Sequence, residues 1–149
     1  MAAAAASAAF ANGVADVKFC LDGLTAAQAV DFMGRVQTTV DRDEGQTLSS
    51  QFNVHVAVRD DRPSTLAAGA GDELVSEPAA IARLAVELTS AGGWERVTLD
   101  SASTAIPSRP LTDILGLDSL AAWVNLAHSV GLETYVSDDF RPWLACEAA

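Results

Sequence analysis

Short apolar runs alternate along the chain with longer segments in which apolar residues recur every three or four positions. The short runs are typical of buried β-strands, and the longer segments are typical of amphipathic helices. The pattern predicts a first helix over residues 2–11, then four strands that alternate with helices, with loops over 60–71 and 101–110. The predicted strands cover residues 13–23, 52–58, 94–100 and 132–136, and the predicted helices cover residues 26–41, 79–91, 111–130 (broken near Gly116) and 140–149.

The first predicted strand carries Lys18, the only lysine of the chain. A lysine midway along an apolar strand needs a partner or loses hydration, and loss of hydration lowers the pKa of an ammonium toward the range useful for chemistry. Alternatively, its aliphatic stem packs while the ammonium reaches water at the end of the strand. Alternation along the strand places Val17, Phe19 and Leu21 on one face and Lys18, Cys20 and Asp22 on the other.

Strands that alternate with helices predict an α/β fold, a parallel sheet covered by helices. Four strands form either a thin open sheet or half of a (β/α)8 barrel, and in both the working edge is the C-terminal end of the strands. Aspartates favour turns and helix starts, which explains part of their clustering at this edge. The remaining aspartates predict a cluster of negative charge near Lys18. The aspartates at this edge are Asp22, Asp60, Asp61, Asp100, Asp138 and Asp139.

Composition limits the classes of partner. Of the 149 residues 50% are hydrophobic, enough for one domain with a real core over residues 1–149. The formal net charge of −11 argues against nucleic acid and anionic membranes as partners. No apolar run reaches the length of a membrane span, and the alanine-rich opening lacks the basic residues of a signal peptide.

The two cysteines and the histidines suggest no cofactor. Cys20 and Cys146 are far apart and have no paired spacing, so we expect free thiols in a reducing cytoplasm and no metal. His55 lies within an apolar run, which predicts a core residue. The chain has neither a glycine-rich dinucleotide loop nor a phosphate-cradling loop with a lysine, so we expect no cofactor.

Five runs, taken in order, resemble a known family. They are the strand at 13–23, Gln-Ala-Val-Asp-Phe-Met at 28–33, Leu-Asp-Ser-Ala at 99–102, Leu-Thr-Asp-Ile-Leu at 111–115 and His-Ser-Val-Gly-Leu at 128–132. Over about residues 2–141 the chain is similar to the (5-formylfuran-3-yl)methyl phosphate synthases, lyases of methanofuran and methylofuran biosynthesis. The resemblance implies about four βα units of a (β/α)8 TIM-type barrel. It also implies condensation of triose phosphates, of the glyceraldehyde 3-phosphate class, to a furan phosphate through a Schiff base.

The same resemblance assigns roles to individual residues. Lys18 and Asp100 take the places of a family active-site lysine and aspartate and are the expected catalytic residues, while Asp61 and Ser137 are the expected substrate-binding residues. Thr104 stands about where the family has a further lysine, and Ser-Asp-Asp at 137–139 replaces the family's Ala-Gly-Ser. The family's imine-forming lysine and glycine-rich phosphate site belong to strands that this chain does not contain.

Two hypotheses about function follow. In the first, the chain is the furan-phosphate lyase or a truncated or diverged copy, in which Lys18 orients or protonates the substrate and Asp100 acts as general acid or base. In the second, it is a non-catalytic half-barrel that pairs with itself or with another chain. Half a barrel leaves strand edges and an apolar face uncovered, so we expect a homo-oligomer, a dimer in the simplest case, or a chain that aggregates when purified alone.

Overall fold

The computed structural model describes residues 1–63, 73–102 and 109–137, which form an α/β fold. Parallel strands alternate with helices, as the sequence pattern predicts. The elements are α1 (Ala2–Ala11), β1 (Asp16–Cys20), α2 (Ala26–Thr39), β2 (Thr47–Asn53), β3 (Val58–Asp60), β4 (Glu73–Val75), α3 (Pro78–Gly92), β5 (Arg96–Asp100), α4 (Leu111–Leu115), α5 (Leu117–Ser129) and β6 (Glu133–Ser137).

The main sheet has four parallel strands in the order β1-β2-β5-β6, so each strand pairs with the next one along the chain. The short strands β3 and β4 form a separate antiparallel pair. Parallel crossovers of constant hand place their helices on the same face of a sheet. In agreement, α1 packs on α2, α2 on α3 and α3 on α5, which makes one helical layer. Within the described residues the sheet is open, and no closed barrel is formed.

Helix ends are set by local chemistry. Thr25 caps α2, because its hydroxyl accepts from the backbone of Gln28 while the Gln28 side chain accepts from the backbone of Thr25. Glu77 caps α3 and proline follows at the first helical position. Gly93 ends α3 at φ 74°, a left-handed conformation that glycine adopts without strain.

The core lies between the helical layer and one face of the sheet. Leu48, Val97 and Leu99 of the sheet are fully buried there, as is Met33 of α2. Helices α2 and α3 approach closely at Gly92, where an added Cβ would lie 2.5 Å from the Met33 Cβ. Trp94 closes this region, since its indole Nε1 donates to the Met33 carbonyl at 3.0 Å.

The second strand lies earlier than predicted. It spans Thr47–Asn53 rather than residues 52–58, and residues 54–57 form a turn. The pattern hides this strand because Ser50 occupies a core position, where its hydroxyl bonds to the Thr89 hydroxyl at 2.6 Å. His55 lies exposed in the turn, so the prediction of a core histidine is wrong.

Other predictions meet the structure in part. The alternation in the first strand is confirmed, with Leu21 buried and Lys18 and Cys20 exposed. The β3–β4 pair was not predicted. The predicted helix over 140–149 lies outside the described residues, as do Thr104, Asp138, Asp139 and Cys146. In the described part of the chain, no helix is both long and apolar enough to cross a membrane.

Candidate functional site

The candidate site is the face of the parallel sheet opposite the helical layer, called here the polar face. Every side chain that alternation places on this face is polar or ionisable. Half a barrel is expected to leave an apolar face uncovered, and this face is not apolar. No described helix covers it. Its residues are Asp16, Lys18 and Cys20 on β1, Thr47, Ser49, Gln51 and Asn53 on β2, Arg96, Thr98 and Asp100 on β5, and Glu133, Tyr135 and Ser137 on β6.

Lys18 lies on the outer strand of this face. Its side chain is exposed, and among the described residues it forms no ion pair. It lines a cavity of about 220 Å³ together with Asp16, Ser49, Thr98, Tyr135, Val136 and Ser137. Lys18 is therefore a primary amine that is available to a ligand in this cavity.

Arg96, the first residue of β5, contacts side chains on β1 and on β6. Its guanidinium donates to Glu133 at 2.6 Å and lies 3.3 Å from the carboxylate of Asp16. The guanidinium carbon also lies 5.2 Å from the ring centroid of Tyr135, within range of a cation–π contact. Because two carboxylates already neutralise Arg96, Lys18 is the cation that remains available in the cavity.

Asp100 is held rigidly at the C-terminal end of β5. One carboxylate oxygen accepts from Nε2 of Gln51 at 2.6 Å, and the other accepts from the backbone of Ala102 at 2.8 Å. The residue is only 9% exposed. Its carboxylate is therefore oriented before any ligand binds.

Lys18 and Asp100 lie on the same face but not side by side. Lys18 is in register with Ser49, which is in register with Arg96, so Asp100 lies four positions further along the strands. At ~3.3 Å per residue this is an offset of about 13 Å. No ion pair joins the two side chains, and Asp100 does not line the cavity that contains Lys18.

Side-chain hydrogen bonds link the C-terminal ends of β1, β2 and β5. Asp22 accepts from the backbone of Asn53 at 3.0 Å, and the Asn53 amide donates to the carbonyl of Ala102 at 2.7 Å. Neither Gln51 nor Asn53 was predicted as a site residue. Gln51 precedes the predicted strand over 52–58, whereas Asn53 lies within it and was given no role. Their alternation with Phe52 is the signal that would have identified them.

Cys20 lies between Lys18 and these linked C-terminal strand ends. Partial burial raises the pKa of the thiol, and the carboxylates of Asp22 and Asp100 raise the pKa further. A raised pKa keeps the sulfur protonated at neutral pH, and the thiol is a much weaker nucleophile than the thiolate. The geometry therefore gives Cys20 no role as a catalytic nucleophile.

The two expected substrate-binding residues lie in different places. Asp61 accepts from the backbone of Ala27 at 2.9 Å in the first turn of α2, and this bond lowers the pKa of the carboxyl. The Asp61 carboxylate therefore already has a hydrogen-bond partner, the backbone N–H of Ala27 at the start of α2. Ser137 lies at the end of β6, in register with Asp100, and lines the cavity.

Over residues 1–63, 73–102 and 109–137, no group of three or more histidine, cysteine or carboxylate side chains is placed to hold a metal ion. No protein-family model matches the chain, and no curated protein is significantly similar to it.

Proposed function

We propose that the chain is half of a (β/α)8-type barrel whose polar face binds a small phosphorylated carbonyl compound of the glyceraldehyde 3-phosphate class. As the family resemblance implies, the reaction would be that of a (5-formylfuran-3-yl)methyl phosphate synthase, carried out by a cytoplasmic homo-oligomer. The observation that carries the proposal is the placement of Lys18, the only lysine, in a cavity on the polar face.

The strand order supports the half-barrel. In a (β/α)8 barrel, successive parallel strands are neighbours, all helices lie outside, and the active site is at the C-terminal ends of the strands. Here β1, β2, β5 and β6 follow the same order, with the helices in one layer on one side. The polar face would then be the inner wall, and Asp100 would lie at its catalytic end.

Cavity size and the Lys18 ammonium support a small phosphorylated substrate, since the Asp16 carboxylate that also lines the cavity is paired with Arg96. A volume of about 220 Å³ lies below the ~300–1,000 Å³ of sites for drug-sized ligands. Lys18 supplies a compact ammonium that suits a phosphate or carbonyl oxygen. Asp100 lies about 13 Å further along the strands and outside the cavity lining, so it would act as general acid or base on a second triose phosphate bound nearer the C-terminal end of the sheet.

Substitution of Lys18 tests the proposal directly. Lys18→Met should weaken glyceraldehyde 3-phosphate binding at least about tenfold, a loss of ~1.4 kcal/mol, since it removes the available cation of the cavity. Lys18→Arg should not restore binding, because a planar guanidinium cannot replace a compact donor. Titration calorimetry measures binding, and absorbance of the furan aldehyde product measures turnover.

Arg35→Met is the matched control. Arg35 also carries a positive charge, but its side chain is 77% exposed on α2 and pairs with Asp31. Binding by this variant should equal that of the original chain. If Lys18→Met binds as tightly as Arg35→Met, Lys18 has a structural role and the enzyme proposal is wrong.

A second candidate is a non-catalytic half-barrel that pairs with itself or with another chain. The observation that favours it is the carboxylate pair Asp22 and Asp100 at the C-terminal end, because two negative charges there oppose phosphate binding. This candidate predicts assembly without triose-phosphate binding. The calorimetric titration described above distinguishes the two.

A further inference from the structure

The hydroxyl of Thr98 is buried on the polar face without a hydrogen-bond partner. Thr98 lies in the middle of β5, between Gln51 and Tyr135 in the register, and is only 2% exposed. In the described part of the chain, no group bonds to its Oγ1. An unpaired buried hydroxyl destabilises a fold, and a valine of the same shape would avoid this cost. The fold therefore gives no reason for a hydroxyl at this position, whereas a ligand in the cavity that Thr98 lines would give one.

Other polar side chains of the cavity already have partners. The hydroxyl of Ser49 donates to both carboxylate oxygens of Asp16, at 2.7 and 2.9 Å. The Asp16 carboxylate also pairs with Arg96. The groups that remain for a ligand therefore include the Lys18 ammonium and the Thr98 hydroxyl, and both can donate hydrogen bonds.

These two donors border the cavity at separate points. Thr98 lies two strands away from Lys18 and two positions further along, which is about 10 Å across the sheet and about 7 Å along it. A carbonyl group presents a single oxygen, which suits one donor rather than two that lie apart. A phosphoryl group presents several acceptor oxygens in different directions, and it accepts from ammonium and hydroxyl groups alike.

We infer that this cavity holds the phosphoryl group of the triose phosphate, with the Lys18 ammonium and the Thr98 hydroxyl as donors to its oxygens. The inference rests on the function proposed above and adds Thr98 to it as a residue that determines specificity. Lys18 then acts on the phosphoryl group and not on the carbonyl group. The burial of Thr98 favours this role, because a hydrogen bond is stronger where water is excluded.

Calorimetric titration of the full chain with two fragments of the substrate tests the inference. Glycerol 3-phosphate keeps the phosphoryl group and lacks the carbonyl group, whereas glyceraldehyde keeps the carbonyl group and lacks the phosphoryl group. Glycerol 3-phosphate should bind at least about tenfold more tightly than glyceraldehyde. Thr98→Val should weaken glycerol 3-phosphate binding about tenfold, because it removes one hydrogen bond to a charged group and keeps the shape of the side chain.

Thr112→Val is the matched control. The Thr112 hydroxyl, on α4, is also buried without a partner in the described part of the chain, and it lies outside the cavity. This variant should bind glycerol 3-phosphate as tightly as the original chain does. The urea midpoint of Thr98→Val should be no lower than that of the original chain, which distinguishes a hydroxyl that binds a ligand from one that supports the fold.

Equal affinity of Thr98→Val and Thr112→Val for glycerol 3-phosphate overturns the inference, and so does a failure of the original chain to bind this fragment. Glyceraldehyde binding that is equally tight and depends on Lys18 overturns the inference and leaves the proposed function standing. Thr98-dependent binding of glycerol 3-phosphate without formation of the furan product overturns the proposed function and leaves the phosphoryl site standing. If Thr98→Val does not fold, as judged by circular dichroism, the comparison of the two fragments on the original chain decides.

Discussion

At the scale of single residues, the described charged side chains of the polar face are held by neighbours, with the exception of Lys18. Arg96 and Asp100 each have two bonded partners. Lys18 has no ion pair in the described part of the chain. Ordering a long side chain costs free energy, so part of the binding energy of any ligand at Lys18 goes into fixing that lysine.

The raised pKa of Cys20 gives a prediction at the same scale. Burial is the main cause of the raised pKa, and the Asp22 side chain raises it further. Asp22→Asn should therefore lower the pKa of the thiol and increase the rate of alkylation by iodoacetamide near neutral pH. The rate is measured against pH in a Cys146→Ser background, where Cys20 is the only thiol. The midpoint of the profile should move to lower pH.

Asp31→Asn controls for the loss of one negative charge, because Asp31 lies on α2 and pairs with Arg35. Its pH profile should coincide with that of the Cys146→Ser background. An unchanged midpoint in Asp22→Asn would show that burial alone, without the carboxylate, sets the pKa of this thiol.

At the scale of elements, β2 is the main strand whose bounds the apolar spacing of the sequence does not identify. The helices and the first and third main strands have apolar spacing that identifies them, because one side of each faces the core. In β2 the core side carries Leu48, Ser50 and Phe52, and the serine interrupts the apolar spacing. A buried hydroxyl pair in place of an apolar contact therefore concealed the first part of the strand, and with it Gln51.

The contact between α2 and α3 gives a prediction for stability. Gly92→Ala should lower the free energy of unfolding by about 1–3 kcal/mol, because the new Cβ meets Met33 at 2.5 Å. Gly34→Ala, in α2, meets nothing within 4 Å and should raise it by about 0.5–1 kcal/mol through helix propensity. Urea unfolding of both variants measures the difference. Equal effects of the same sign would mean that the helices separate easily at Gly92.

At the scale of the whole molecule, the sequence could supply the order of the elements but not their register. It placed Lys18 and Asp100 on strands of one sheet, which is correct for the backbone. Their four-position offset depends on how β1, β2 and β5 pair, and pairing is set by contacts between distant segments. For the same reason, the bonds of Asp100 to Gln51 and of Asp61 to α2 could not be predicted.

The net charge of −11 gives a prediction for the whole chain. Self-repulsion disfavours the compact state, so raising NaCl from about 0.02 M to about 0.3 M should stabilise the fold by screening. The urea midpoint should rise, and choline chloride at equal ionic strength should have the same effect. A falling midpoint would mean that ion pairs such as Arg42–Glu95 outweigh the repulsion.

The position of α1 ahead of the first strand has a consequence for duplication of this chain. Because α1 packs against β1 and α2 on the helical side, it occupies the place of a crossover helix that leads into β1. In a head-to-tail fusion of two copies, α1 of the second copy would connect β6 of the first copy to β1 of the second. A tandem gene could thus encode a continuous eight-unit polypeptide without any new element of secondary structure.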